Sequence, residues 1–148
     1  MKLLITGLLS IFLSFSMVNA QIRNVPPVVK ATIQQQFPNA KHIDYSDYLA
    51  YYQVTFTNNE SPTTVIITNK GKIKATSIKM QYEDLPSTVK DGFKKSKYAD
   101  WKVNDVAKYY QPSRPMQYEI NASGESFISK KKLFFSTDGQ LLSDKQVL

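Results

Sequence analysis

The chain repeats itself, and that limits its possible folds more than any single motif does. Residues 24–33 and 84–93 carry the same landmarks at an offset of 60: Pro26 meets Pro86, Val29 meets Val89, and Lys30 meets Lys90. Asn24 and Asp84 each stand where a helix N-cap belongs, with Pro behind them. A side-chain oxygen there can accept the orphan N–H groups of a first helical turn, and Pro has none to lose. Apolar residues then recur every fourth position, at Val25, Val29, Ile33 and Phe37, and at Leu85, Val89 and Phe93. This spacing predicts one buried stripe on each of two short helices. Pro38 closes the first helix, and Gly92 weakens the second by about 1 kcal/mol relative to Ala.

A second echo lies at an offset of 68. Val65 to Ile73 and Leu133 to Leu141 both read as an apolar strand, a Gly turn (Gly71, Gly139) and a second strand. Gly supplies the positive φ that such hairpins require. Tyr52, Val54 and Phe56 alternate with Tyr51, Gln53 and Thr55, while Tyr118 and Ile120 alternate with Gln117, Glu119 and Asn121. Period two with one apolar face predicts antiparallel strands covered on one side. First strands are expected near His42–Tyr45 and Trp101–Val106, and a longer loop around Tyr109–Pro115. Each half, 21–83 and 84–148, therefore reads as a helix followed by about four strands. Units this small are marginal alone. The expected fold is α+β, with tandem helix-plus-strand repeats that share one antiparallel sheet or pack two sheets together. The segment Lys79–Asp84 is the joint.

The start of the chain reads as an export signal. Met1-Lys2 is a positive n-region, Leu3 to Val18 is mostly apolar, and Val18-Asn19-Ala20 has small or aliphatic residues where a signal peptidase needs them. Cleavage is expected after Ala20, leaving no stable membrane span, in the periplasm or outside the cell. At 42% hydrophobic and 21% charged, the remainder can bury a core and is not a disordered chain. The formal charge is +7. In an exported protein it points to acidic proteins, anionic glycans or a lipid surface rather than nucleic acid.

Catalytic and metal chemistry find little footing. With no Cys and one His, thiol nucleophiles and Cys-ligated zinc sites are excluded, and any other zinc site is improbable. His42 is expected on a strand surface, opposite Ile43 and Tyr45, and no Gly-x-Ser-x-Gly elbow accompanies it. Ser87 with Lys90, and Ser129 with Lys132, match Ser-x-x-Lys. The companion elements of that chemistry are missing, and Ser87 is better read as a first-turn helix residue. Asp44, Asp47 and Asn104-Asp105 match no calcium loop. Asn121-Ala122-Ser123 reads as part of a turn ending at Gly124, and Lys130-Lys131-Lys132 as a solvated strand entry. No catalytic residue, metal ligand or cofactor is assigned.

The aromatic residues offer more. Tyr51-Tyr52 and Tyr109-Tyr110 are adjacent pairs, so in a strand one ring of each points away from the core. Tyrosine combines apolar area with a polar tip at low rotamer entropy, which suits recognition. Tyr51, Gln53, Thr55, Tyr109 and Tyr110 are the candidate partner-binding residues, on a sheet face with Lys nearby.

The ordered set Val25-Pro26 and Leu85-Pro86, Phe37-Pro38-Asn39-Ala40, Tyr52 to Phe56, Asn69 to Ile73 and Thr137 to Leu141 resembles the PepSY-like, β-lactamase-inhibitor-like family of exported bacterial proteins. The likeness runs over roughly residues 24–144. It implies helices laid on an antiparallel sheet and a non-enzymatic binding or inhibitor-like module for an envelope or secreted protein or peptide. It carries no functional-residue motif. The sequence departs from the pattern at Lys97-Tyr98-Ala99, where the first half has Phe-Pro-Asn, which leaves the length of the second helix open. The alternative is a structural or adhesive envelope component acting through its positive charge.

Overall fold

Two prolines set where the helices start. In the computed structural model, which describes residues 24–126 and 128–147, α1 spans Pro27–Gln36 and α2 spans Ser87–Lys94. The residues capping them are Pro26 and Pro86, not Asn24 and Asp84, and neither helix has a side-chain cap. Asp84 instead ends a 3-10 turn over Tyr82–Asp84. The Pro26 carbonyl accepts the Val29 and Lys30 N–H groups at 3.0 and 3.3 Å, and Pro86 does the same for Val89 and Lys90. A ring-fixed φ of −55° at both prolines holds that carbonyl in place, so the first turn needs no side-chain acceptor. The export signal over residues 1–20 lies outside the described residues.

Eight strands follow the helices, four behind each: β1 (Lys41–Asp47), β2 (Tyr51–Asn58), β3 (Ser61–Thr68) and β4 (Ile73–Met80), then β5 (Lys102–Tyr110), β6 (Gln117–Ser123), β7 (Lys130–Phe135) and β8 (Leu141–Gln146). They form one antiparallel sheet in chain order. Of the two expected arrangements, the shared sheet is the one found. Its seam is β4 against β5, from Thr76↔Tyr110 to Met80↔Val106. Two boundaries differ from expectation. Tyr109 and Tyr110 belong to β5, because pairing with Ser77 and Thr76 carries that strand past the expected loop. Asn121 belongs to β6 rather than a turn, because it pairs with Asp105 and Lys132.

Both helices lie on the same face of the sheet. Val29 and Ile33 pack with Tyr52, Val54, Phe56, Val65 and Ile67. Leu85, Val89 and Phe93 pack with Val106, Tyr118, Ile120, Ala122, Leu133 and Phe135. Burying each Val, Leu, Ile or Phe among them contributes about 1.5–3 kcal/mol. The edge strands are irregular. The register of β1 shifts between Lys41 and Asp44, where His42 adopts φ 55°. The register of β8 shifts opposite Phe134 and Phe135, leaving Leu142 as the extra, exposed residue.

The lysine run at the start of β7 is solvated only in part, because two of its members have buried or half-buried acids within reach. Lys131 pairs with Asp144 and donates to the Tyr98 hydroxyl at 3.2 Å, while Lys132 pairs with Glu119. Tyr98 packs edge-on against Trp101. The first contacts tie the loop after α2 to the last two strands. The Lys131 hydrogen bond, followed by one from Tyr98, holds the Asp144 carboxyl below its ordinary range.

Each helix is also clamped by the Gly turn of its hairpin. Gly71 and Gly139 have φ of 76° and 89°. Thr32 Oγ1 donates to the Gly71 carbonyl at 3.3 Å, and Thr88 Oγ1 to the Thr137 carbonyl at 2.9 Å. The second clamp is the tighter. A Cβ on Gly92 would sit 1.9 Å from the Gly139 carbonyl oxygen. Gly92, which looks like a flaw in a helix, is what lets α2 approach the turn. We therefore expect Gly92→Ala to destabilise the protein in urea by about 1–3 kcal/mol, reversing the gain of about 1 kcal/mol that the same change gives an exposed helix.

Candidate functional site on the bare sheet face

Strand alternation sends every second side chain away from the helices, and among the described residues neither helix covers that side. Three register rows cross it. One runs Thr55, Thr64, Ser77, Tyr109, Gln117 from β2 to β6. The next runs Lys79, Ala107, Glu119, Phe134, Ser143 from β4 to β8. The third runs Asp105, Asn121, Lys132, Lys145 from β5 to β8. Members of all three rows, from Thr64, Ser77 and Tyr109 to Glu119 and Lys132, line a shallow hollow of about 270 Å³ together with Gln53, Ile66 and Ala75.

Glu119 sits in this face and is 2% exposed. A carboxylate tolerates burial only when its lone pairs are met, and here both oxygens are engaged. Oε1 accepts from Lys132 Nζ at 2.9 Å and from Asn121 Nδ2 at 3.2 Å, and Oε2 accepts from Ser77 Oγ at 3.4 Å. Asn121 Nδ2 also donates to Asp105 Oδ1 at 2.6 Å, and Lys79 lies 3.8 Å from Asp105 Oδ2. Asn121 Oδ1 is buried and has no hydrogen-bond partner. The water exclusion comes from the neighbours. The Tyr109 ring packs on Phe134 with centroids 4.7 Å apart, and Lys145 Nζ lies over Phe134 at 5.2 Å. Such a surface offers hydrogen bonds, charge and aromatic area. His42, the single imidazole, is exposed at the bulge of β1, far across the sheet. Lys90 turns from Ser87 to donate to the Glu83 carbonyl at 2.7 Å. Among the described residues no three His, Asp or Glu side chains converge as metal ligands.

The model of the family described as "Putative beta-lactamase-inhibitor-like, PepSY-like" matches residues 16–58 and 50–143. The chain belongs to the PepSY-like family. This PepSY-like fold recurs in crystal structures from Bacteroides. A DUF2874 family protein from Bacteroides ovatus ATCC 8483 is 26% identical, with TM-score 0.71 over 82% of this chain and 88% of that one. A BLIP-like protein from Bacteroides fragilis NCTC 9343 is 24% identical, with TM-score 0.68 over 81% and 84%. A structure from Bacteroides eggerthii DSM 20697, described as "putative periplasmic proteins", is 22% identical, with TM-score 0.72 over 83% and 89%. No curated protein matches the chain. Among the described residues no helix is long and apolar enough to cross a membrane.

The five candidate residues of the PepSY-like chain do not form one patch. Gln53 and Tyr109 line the hollow. Thr55 shares the Tyr109 row from two strands beyond Ser77. Tyr51 lies further along β2, stacked on Tyr48 at 5.1 Å beside the hairpin tip, where Leu49 is 72% exposed. Tyr110 is on the other face, because it pairs with Thr76, which pairs with buried Val65; it is 40% exposed. Sequence reading missed Glu119, Asn121, Lys132 and Lys145 as a set. The available signal was a polar triplet, Gln117, Glu119 and Asn121, facing away from an apolar stripe.

Burial, and then the charge of Glu119, push the Tyr109 hydroxyl above the ordinary tyrosine pKa, while Arg114 opposes them. The unfolded chain therefore releases this proton first. Stability contributed here is present below about pH 10 and declines as pH rises toward the raised folded value. In alkaline urea titrations, Glu119→Gln should show a shallower decline than wild type, and Tyr109→Phe should remove this component.

Proposed function

We propose that the protein is an exported, non-enzymatic binding or inhibitor-like module that docks a protein or peptide on the bare face of its sheet. One observation carries this reading. Both helices are committed to one side of an eight-stranded sheet, while the other side bears rings, amides and charges around an open hollow. An antiparallel sheet ordinarily leaves one face to water; what suits this one to a partner is the gathering of rings, amides and charges around a hollow. The BLIP-like likeness and the periplasmic description of a structural neighbour support the binding role and the export. The twice-run order of one helix and four strands supports an origin by tandem duplication.

Within this face Gln53 and Tyr109 are the proposed contacts, with Thr55 and Tyr51 at its margin. Tyr110 belongs to the other side and serves as the control. Crosslinking and mass spectrometry in a bacterial envelope fraction test the assignment. A partner captured by wild type should be lost with Thr64→Arg, which puts a bulky charge into the bare face, and retained with Tyr110→Ala. The reverse pattern would remove this face as the docking surface. Raising salt separates a second mechanism, adhesion through net positive charge alone. Charge-only association should fade by physiological ionic strength, where the Debye length is about 8 Å, whereas docking on this face should persist.

A further inference from the structure

Resting on that reading, we propose that the hollow accepts an acidic loop of the partner protein, its carboxylate seated between Lys132 and Lys145 and a neighbouring backbone N–H donated to Asn121 Oδ1. Three features of the face converge on this chemistry. Lys132 and Lys145 are directly opposed across β7 and β8, and like charges in that position repel and destabilise a sheet. Lys132 is bonded to the Glu119 carboxylate. Lys145 rests on the Phe134 ring, a contact that leaves its hydrogen-bond donors unspent. An incoming carboxylate would relieve the repulsion and satisfy those donors together.

The second feature is the orphan acceptor. Asn121 Oδ1 is buried without a donor, although the Nδ2 of the same amide bonds both Asp105 and Glu119. Those two carboxylates fix the amide orientation, because reversing it would aim the oxygen at negative charge. An unmet buried acceptor is costly, and a backbone N–H from the partner would meet it as the lysine side chains of the row swing onto the incoming carboxylate and uncover it. The third feature is spacing. Asn121, Lys132 and Lys145 occupy one register row on adjacent strands, so the row spans about 10 Å at roughly 4.8 Å per strand. With the reach of the lysine side chains, one acidic residue and the amide beside it cover that distance. The net positive charge of the chain would favour encounter with an acidic surface.

The test uses the 15N-labelled protein and two capped peptides, acetyl-Gly-Asp-Glu-Gly-amide and its neutral analogue acetyl-Gly-Asn-Gln-Gly-amide. Binding in the range of about 1 mM is measurable by NMR titration. The acidic peptide should shift the Asn121 side-chain amide and the backbone of Lys132, Phe134 and Lys145, and the neutral peptide should not. Lys145→Glu should weaken binding at least tenfold, with Lys145→Met as the substitute if the charge reversal disturbs the fold. Lys30→Glu, on α1, should leave binding unchanged. Equal shifts from both peptides, shifts spread over lysines of the helix-bearing face, or full binding by Lys145→Met would overturn the inference. If the acidic peptide fails while Thr64→Arg still abolishes partner capture, the acidic loop falls and bare-face docking stands. If capture survives Thr64→Arg, the docking face itself falls.

Discussion

Everything distinctive about this molecule depends on the hydrogen-bonded seam between β4 and β5. Each half has a helix and a hydrophobic cluster of its own, and neither is large enough to be secure alone. The seam joins them without a crossover, in simple chain order. It also assembles the hollow, since Ser77 and Lys79 arrive from β4, Asp105 and Tyr109 from β5, and Glu119 and Asn121 from β6. Two separately packed sheets would have kept both clusters and lost this surface.

The two faces keep water out by different means. On the covered face a helix lies over alternating apolar residues and does the work wholesale. On the bare face the second half shields itself, with Tyr109 against Phe134, Lys145 over Phe134 and Lys132 across Glu119. A buried carboxylate is then possible because its neighbours bring donors along with the bulk. The first half of the same face carries Gln53, Thr64, Ile66 and Ala75, with Lys79 at the seam. The face thus mixes polar and apolar groups, and the charges that line the hollow gather at the seam and in the second half.

The helix stripes, the Gly turns and the β2, β3 and β7 strands were legible in the sequence because periodicity and positive-φ glycines are local signals. Val29, Ile33, Val89 and Phe93 are buried as their spacing predicts. The caps were misplaced because a proline carbonyl does the work expected of Asn24 and Asp84. Asn121 looked like a turn residue because its partners, Asp105 and Lys132, are distant in sequence and no local rule links them. Lys131 and Lys132 looked solvated for the same reason. Tyr110 was grouped with Tyr51 because both are spare rings, and only the β4–β5 register assigns them to opposite faces. What escaped the sequence was pairing between strands, which is also what builds the candidate site.

The distorted rims of the sheet set a limit on its size. Because β1 and β8 are each interrupted by an extra residue, further strands are poorly accommodated at either end. The sheet is therefore of fixed width, seven inter-strand gaps or about 34 Å. A partner docked as proposed would have to fit that span from above rather than lengthen it from the side.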